Sequence, residues 1–428
     1  MIWLTVGILL GLLALSIPVS AVLGTVGFVL DQIYYGGRIF PAIGEISWGV
    51  SIDVILVAVP LFILLGEILL RAGIAERMYA AMMHWLSWLP GGLMHSNIGT
   101  CTLFSAVSGS SVATAATIGT VAIGQIDRHG YNERFFLGTI AAGGTLGILI
   151  PPSINMIVYG VLTETSIPQL YLAGMVPGVV LATVFMLQVI IACLIKPELG
   201  GRAIESSWSH RWRALPDLIP PLIIFIVVIG SIYAGIATPT ESAALGVIIA
   251  FVLAAWRRSL NFEMLRDSIE GTMRSTAMIM AILLGAYFLN WVLASTGLAA
   301  QVNAYVTEVG MSPMHTLIVI VLFYLVLGMF METLSMMIAT VPIITPVIVQ
   351  LGFDPVWFGV LIMLLIETAM ITPPVGINLY VVQGVRGRGQ LHDVMFGAAP
   401  FVVGLLVMIV LLIAFPQIAL FVPEAIAR

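Results

Sequence analysis

Apolar residues come in long runs along almost the whole chain, and polar residues gather in short clusters between them. A helix needs about 20 apolar residues to cross a bilayer. On that measure the chain predicts spans over 2–30, 49–70, 132–165, 168–195, 216–236, 239–256, 272–295, 356–385 and 391–422. Two more stretches, 93–125 and 313–350, carry small or polar residues near their middles and are read as re-entrant helical hairpins. Segments 71–88 and 257–271 mix Arg, Glu, Trp and His with apolar residues, the pattern of amphipathic arms along a membrane surface. The opening run lacks a basic leader and is too long for a signal-peptide core, so it is read as a retained first helix.

Two Pro-Pro pairs interrupt the pattern inside predicted spans. Pro151-Pro152 lies in Gly147-Ile-Leu-Ile-Pro-Pro-Ser-Ile-Asn155, and Pro373-Pro374 in Ala369-Met-Ile-Thr-Pro-Pro-Val-Gly-Ile-Asn378. Proline has no N–H, so the carbonyls of Gly147, Ile148, Ala369 and Met370 lose their usual helical donors. Free carbonyls at membrane depth are tolerated only inside protein or beside a watery or ion-filled cavity. Paired broken helices in two halves of a chain are the best sequence pointer to a transporter's binding site.

The halves repeat. The Pro-Pro pairs are 222 residues apart, and Asn155, Gly174 and Pro177 match Asn378, Gly397 and Pro400 at 223. The 222-residue offset of the proline pairs also lays Ser108–Ser111 over Phe330–Thr333, the two hairpin tips. With the N-terminus cytoplasmic and the C-terminus outside, every Lys and Arg except Arg38 and Arg428 faces the cytoplasm, as the positive-inside rule requires. In that topology the two hairpins enter from opposite sides, so the repeat is inverted. The chain divides into N-terminal scaffold helices with an arm (1–92), a first transport repeat (93–200), a loop with scaffold helices and the second arm (201–312), and a second transport repeat (313–428). The fold class is an all-α polytopic membrane protein: an inverted repeat with two re-entrant hairpins and two broken helices.

Composition narrows the function. With 60% hydrophobic and 9% charged residues over 428 positions, the chain is not a soluble globular protein. Its two cysteines, Cys101 and Cys193, sit in apolar surroundings, and its six histidines lack metal-ligand spacing. No phosphate loop or zinc motif appears, and no nucleophile is paired with a base, so an intramembrane enzyme is disfavoured. No cofactor and no nucleic-acid partner is expected.

Sodium wants several oxygen ligands and no proton chemistry. Ser108, Ser110 and Ser111 with the backbone at Gly147, Ile150 and Pro151 form one candidate shell. Gly328, Glu332, Thr333, Thr368, Ala369 and Thr372 form a second. The serine-rich tip also suits close helix packing. Helices restarting near Ser153–Asn155 and Val375–Asn378, and hairpin arms starting near Ser111 and Thr333, would turn positive dipole ends toward one centre. Ser153, Asn155, Ser335 and Asn378 are the candidate substrate-binding residues; helix capping or interhelical bonding is the alternative role of the asparagines. Among the ionisable residues within spans, Glu332 and Glu367 stand next to the second tip and break. Glu67, Glu164 and Glu241 fall near span ends, where solvation or capping explains them. Trp208 and Trp212 are read as interfacial residues.

Phe104-Ser-Ala-Val-Ser-Gly-Ser-Ser-Val-Ala-Thr-Ala-Ala-Thr-Ile-Gly119, Gly147-Ile-Leu-Ile-Pro-Pro-Ser153 and Thr372-Pro-Pro-Val-Gly-Ile-Asn378 together resemble the large membrane subunit of TRAP transporters, the tripartite ATP-independent periplasmic carriers of the dicarboxylate and sialic-acid type. The resemblance covers essentially the whole chain. It implies a bacterial inner-membrane permease that works with a small four-helix membrane subunit and a periplasmic substrate-binding protein. It also implies import of an organic acid anion with sodium ions by an elevator motion. A stand-alone ion-coupled anion carrier is the alternative.

Overall fold

The computed structural model describes residues 2–15, 17–202, 206–297 and 311–427, and no strand occurs among them. Arg428, one of the two cationic exceptions to the predicted topology, lies outside the described residues. The first predicted span is in fact two helices, α1 (Ile2–Ala14) and α2 (Val19–Tyr35), because Pro18 cannot donate back into the turn before it. The second is divided into α3 (Ile43–Ser51) and α4 (Ala58–Arg71), with the Asp53 carboxylate accepting the Ile55 N–H in the turn between them. Helix α5 (Ile74–Leu86), the first arm, leaves α4 at 68° through Gly73, whose φ is +69°.

The first repeat contains α6 (Leu93–Ser108), α7 (Ser111–Ala122), the short α8 (Gly124–His129), α9 (Glu133–Leu149), α10 (Ile154–Thr163) and α11 (Ile167–Ile195). After the connecting segment come α12 (Trp208–Ala214), α13 (Ile219–Tyr233), α14 (Pro239–Trp256) and α15 (Phe262–Ser295). The second arm and the span after it were expected as separate pieces, but α15 is one helix of 34 residues. Asn261 caps it through the Met264 N–H, and no proline follows to stop it. The second repeat contains α16 (Pro313–Gly328), α17 (Thr333–Gln350), α18 (Pro355–Met370), α19 (Ile377–Arg386) and α20 (Leu391–Ala414). The last span ends early at Phe415-Pro416 and resumes as α21 (Gln417–Ala427). Six described segments are long and apolar enough to cross a membrane, by length and composition.

Close approaches along α9 fix the shape of the first hairpin. Asn97 bonds Thr139, Gly143 lies against Ile98 and Cys101, Gly144 against Ala115, and Gly147 against Ser110 and Ser111. Advancing along α9 therefore means advancing along α6 and retreating along α7. The two arms are antiparallel, and their tip lies at the end of α9. The repeats also exchange partners: α10 packs on α17, and α19 packs on α7. Helix α20 crosses α9 so closely that a Cβ on Gly138 or Gly397 would run into the opposing backbone. Neither half holds its hairpin alone.

Candidate functional site

The first tip is built by a short run of small residues. Gly109 takes φ +61° and sends its N–H to the Ser105 carbonyl, ending α6. Ser110 restarts the chain as the cap of α7, its hydroxyl accepting the Ala113 N–H at 3.4 Å. The Ser108 and Thr114 hydroxyls pair at 2.9 Å across the tip, and Ser111 donates to the Thr145 carbonyl at 3.1 Å. A Cβ on Gly109 would lie 2.6 Å from the Pro152 carbonyl oxygen. The tip thus rests directly on the first Pro-Pro break.

At that break no N–H or O–H of the described residues bonds the carbonyls of Gly147 or Ile148. Ser153 caps α10 through the Met156 N–H at 3.4 Å. The second half follows the same plan with different chemistry. The Val375 N–H bonds the Met329 carbonyl at 3.2 Å, joining the second tip to the second break. Glu332 caps α17: its carboxylate accepts the N–H groups of Leu334 and Ser335 and the hydroxyls of Thr333 and Ser335, at 2.9–3.1 Å. The Ala369 carbonyl, expected to be free, accepts the Thr372 N–H at 3.2 Å in a tighter turn. Both Pro-Pro bonds are cis.

A cavity of about 310 Å³ lies between the two tips. It gathers Ser108, Ser110, Ser111, Asn155, Glu332 and Thr333 from the candidate residues. Gly328, Thr333 and Ala369 meet at a second, tighter gap beside it. Asn155 lines the cavity at 5% exposure, and its Nδ2 has no hydrogen-bond partner among the described residues. The other candidates lie behind this surface. Ile150 packs under Gly178, Ser153 is fully buried, Ser335 is bonded to Glu332, and Asn378 donates to the Ala141 carbonyl at 3.3 Å. Glu367, two turns before Pro374, is fully buried, and neither carboxyl oxygen has a hydrogen-bond partner among the described residues.

Helices α4 and α15 close the other side of the cavity with Gly66, Glu67, Ser275, Met278 and Ile279. Sequence reasoning assigned Glu67 to a span end and did not single out Ser275. The spacing Gly271, Ser275, Met278 marks one helix face and was the available signal. Glu67 pairs with Arg71 at 3.1 Å, and Arg71 with Asp267 at 3.4 Å, at a charged vestibule that shares Glu67 and Ser275 with the cavity.

Two solved transporters have this arrangement of helices. The Alcanivorax borkumensis YdaH transporter superposes with a TM-score of 0.62 over 98% of both chains at 17% identity. Neisseria gonorrhoeae MtrF superposes with 0.61 over 91% of this chain and 85% of its own at 14% identity. The likeness is one of fold: an all-helical protein with several apolar helices long enough to cross a membrane. Residues 6–418 match the family described as tripartite ATP-independent periplasmic transporter, DctM component. The chain is 33% identical to the C4-dicarboxylate TRAP transporter large permease protein DctM of Rhodobacter capsulatus, over 98% of each chain. It is 32% identical to the ectoine permease TeaC of Halomonas elongata over 98% of each, and 32% identical to the sialic acid permease SiaM of Vibrio cholerae over 86% of each. The chain belongs to the DctM family, the large permease subunits of TRAP transporters, whose members here are carriers rather than enzymes.

Proposed function

We propose that this subunit imports a small organic acid anion together with sodium ions across the bacterial inner membrane. It would work by an elevator motion, with a small four-helix membrane subunit and a periplasmic binding protein. The observation that carries the reading is that each hairpin tip sits on a proline break, through Gly109 against Pro152 and Val375 against Met329. Carbonyls at the breaks beside hydroxyls give oxygen ligands that need no proton transfer. Sodium site 1 takes Ser108, Ser110 and Ser111 with the backbone at Gly147, Ile150 and Pro151. Site 2 takes Gly328, Glu332, Thr333, Thr368, Ala369 and Thr372. The substrate's carboxylate meets Asn155, supported by its unpartnered Nδ2, while Ser153, Ser335 and Asn378 hold the helix starts behind it.

In this reading the two hairpins and two broken helices move against α2, α4, α14 and α15. The N-terminus is cytoplasmic, the C-terminus periplasmic, and both hairpins are re-entrant. Inward sodium movement contributes about 2.3 kcal/mol per charge per 100 mV, so coupling to sodium accumulates an anion without ATP.

A ligand that binds only the folded state raises its stability with concentration. Melting of the purified membrane complex should therefore rise saturably in sodium and not in potassium or choline. Ser108→Ala or Ser110→Ala should weaken that rise more than it lowers expression. Equal melting in all three salts removes the sodium assignment. An intact sodium response in both variants moves the first site elsewhere.

A further inference from the structure

The segment between α11 and α13 carries a surface that the transport reading does not use. Helix α12 presents Trp208 and Trp212 one turn apart, 65% and 61% exposed, and the Arg211 guanidinium lies 4.8 Å from the centre of the Trp208 ring. Its other side is anchored on the arm α5. The Arg211 Nε donates to the His84 carbonyl at 3.2 Å, His84 stacks on His210 at 5.6 Å, and Trp85 meets Trp212 edge-on at 6.1 Å. A parallel arrangement ends α14, where Trp256 is 74% exposed and the Arg257 guanidinium lies 5.6 Å from its ring.

Asp217 ties the two places together, bonded to Arg257 at 3.3 Å and facing Arg77 at 3.7 Å. With that carboxylate shared, Arg211, Arg213 and Arg258 have no ion-pair partner among the described residues, and Arg213 and Arg258 are exposed. The result is a set of exposed indoles beside cations that no carboxylate of the described residues neutralises. Indole rings settle at the headgroup level of a bilayer, and arginine forks match phosphate oxygens.

We propose that this tryptophan–arginine belt, Trp208, Arg211, Trp212 and Arg213 with Trp256 and Arg258, docks anionic phospholipid headgroups and seats the arm α5 on the membrane surface. Charge complementarity selects this occupant. A zwitterionic headgroup offers the indoles the same seat but gives the unpaired arginines no net charge to meet.

The test uses the complete membrane complex in vesicles of phosphatidylcholine that contain, at equal mole fraction, either brominated phosphatidylcholine or brominated phosphatidylglycerol. The W208F/W212F variant isolates the fluorescence of these two residues; should it fail to insert, W208F and W212F are compared singly. The expected result is stronger quenching by the brominated anionic lipid. R211Q and R213Q should each lower that preference roughly fivefold, the effect of one basic group near a charged bilayer, and added salt should lower it too. Equal quenching by both lipids overturns the proposal and leaves a merely interfacial helix. Quenching by neither overturns it as well, because α12 would then face water or protein.

Discussion

Gly109 does two jobs that no other residue can do at that position. Its φ of +61° turns the hairpin, and its missing side chain lets the tip reach the Pro152 carbonyl. Gly109→Ala should lose about 1–2 kcal/mol from the left-handed backbone alone. It should also lift the tip off the break, so that the sodium-dependent rise in melting falls further than overall stability does. A variant that melts lower yet keeps its full sodium response would separate the tip from the cation site. The helix starts around the cavity differ in the same detailed way. Ser110, Ser153 and Glu332 occupy the starts of α7, α10 and α17 with their own side chains, whereas α19 begins at Gly376 with no side-chain cap. Three of the four starts thus carry a capping side chain of their own, and α19 does not. The serine tip and the proline pairs were legible because their chemistry is local. The wall formed by Gly66, Glu67 and Ser275 was not, because it exists only where α4 and α15 meet.

At the scale of helices, ion pairs fasten pieces that the sequence holds far apart. Arg386 at the end of α19 is 4% exposed in its side chain and bonds Glu133 at 2.8 Å and Asp393 at 3.1 Å. Arg134 bonds Asp393, and Arg388 bonds Asp127. Arg386→Gln would leave two carboxylates facing each other. Both are partly exposed, so the loss should be about 2 kcal/mol rather than the larger value of a dry pair, read as a lower melting temperature. The arm carries a pH dependence of its own. Burial, and then the His210 ring, lower the His84 pKa from 6.5, so the docked state disfavours the proton. Docking of α12 should be complete above that value and weaken as pH falls through the lowered one. Amide exchange over 206–214, corrected for its intrinsic pH dependence, should quicken on acidification, and His84→Phe should flatten the response. Element types were mostly legible from apolar runs. The unbroken α15 was not, because its charged first turns look like an arm until Asn261 and the absence of proline are weighed together.

For the whole molecule, the two halves are related by an exchange rather than by simple juxtaposition. Helix α19 of the second half lies on α7 of the first, α10 lies on α17, and α20 crosses α9 at Gly138 and Gly397. The arm also belongs with the first hairpin. The Tyr79 hydroxyl donates to Asn97 at 2.8 Å, and Asn97 donates to Thr139 at 2.8 Å, so bending is left to Gly73. The repeat was legible in the spacing of the prolines, but not the exchange, since matching residues say nothing about which copy packs on which. That exchange bears on how the chain is made. Ribosomes deliver the first hairpin early, while the helix that secures it is finished only at Arg386. For most of translation its hydroxyl-lined tip must wait without its final neighbour. A nascent chain halted before Ile377 should therefore remain with the insertion machinery and be degraded on release, and the full-length chain should leave as a stable permease.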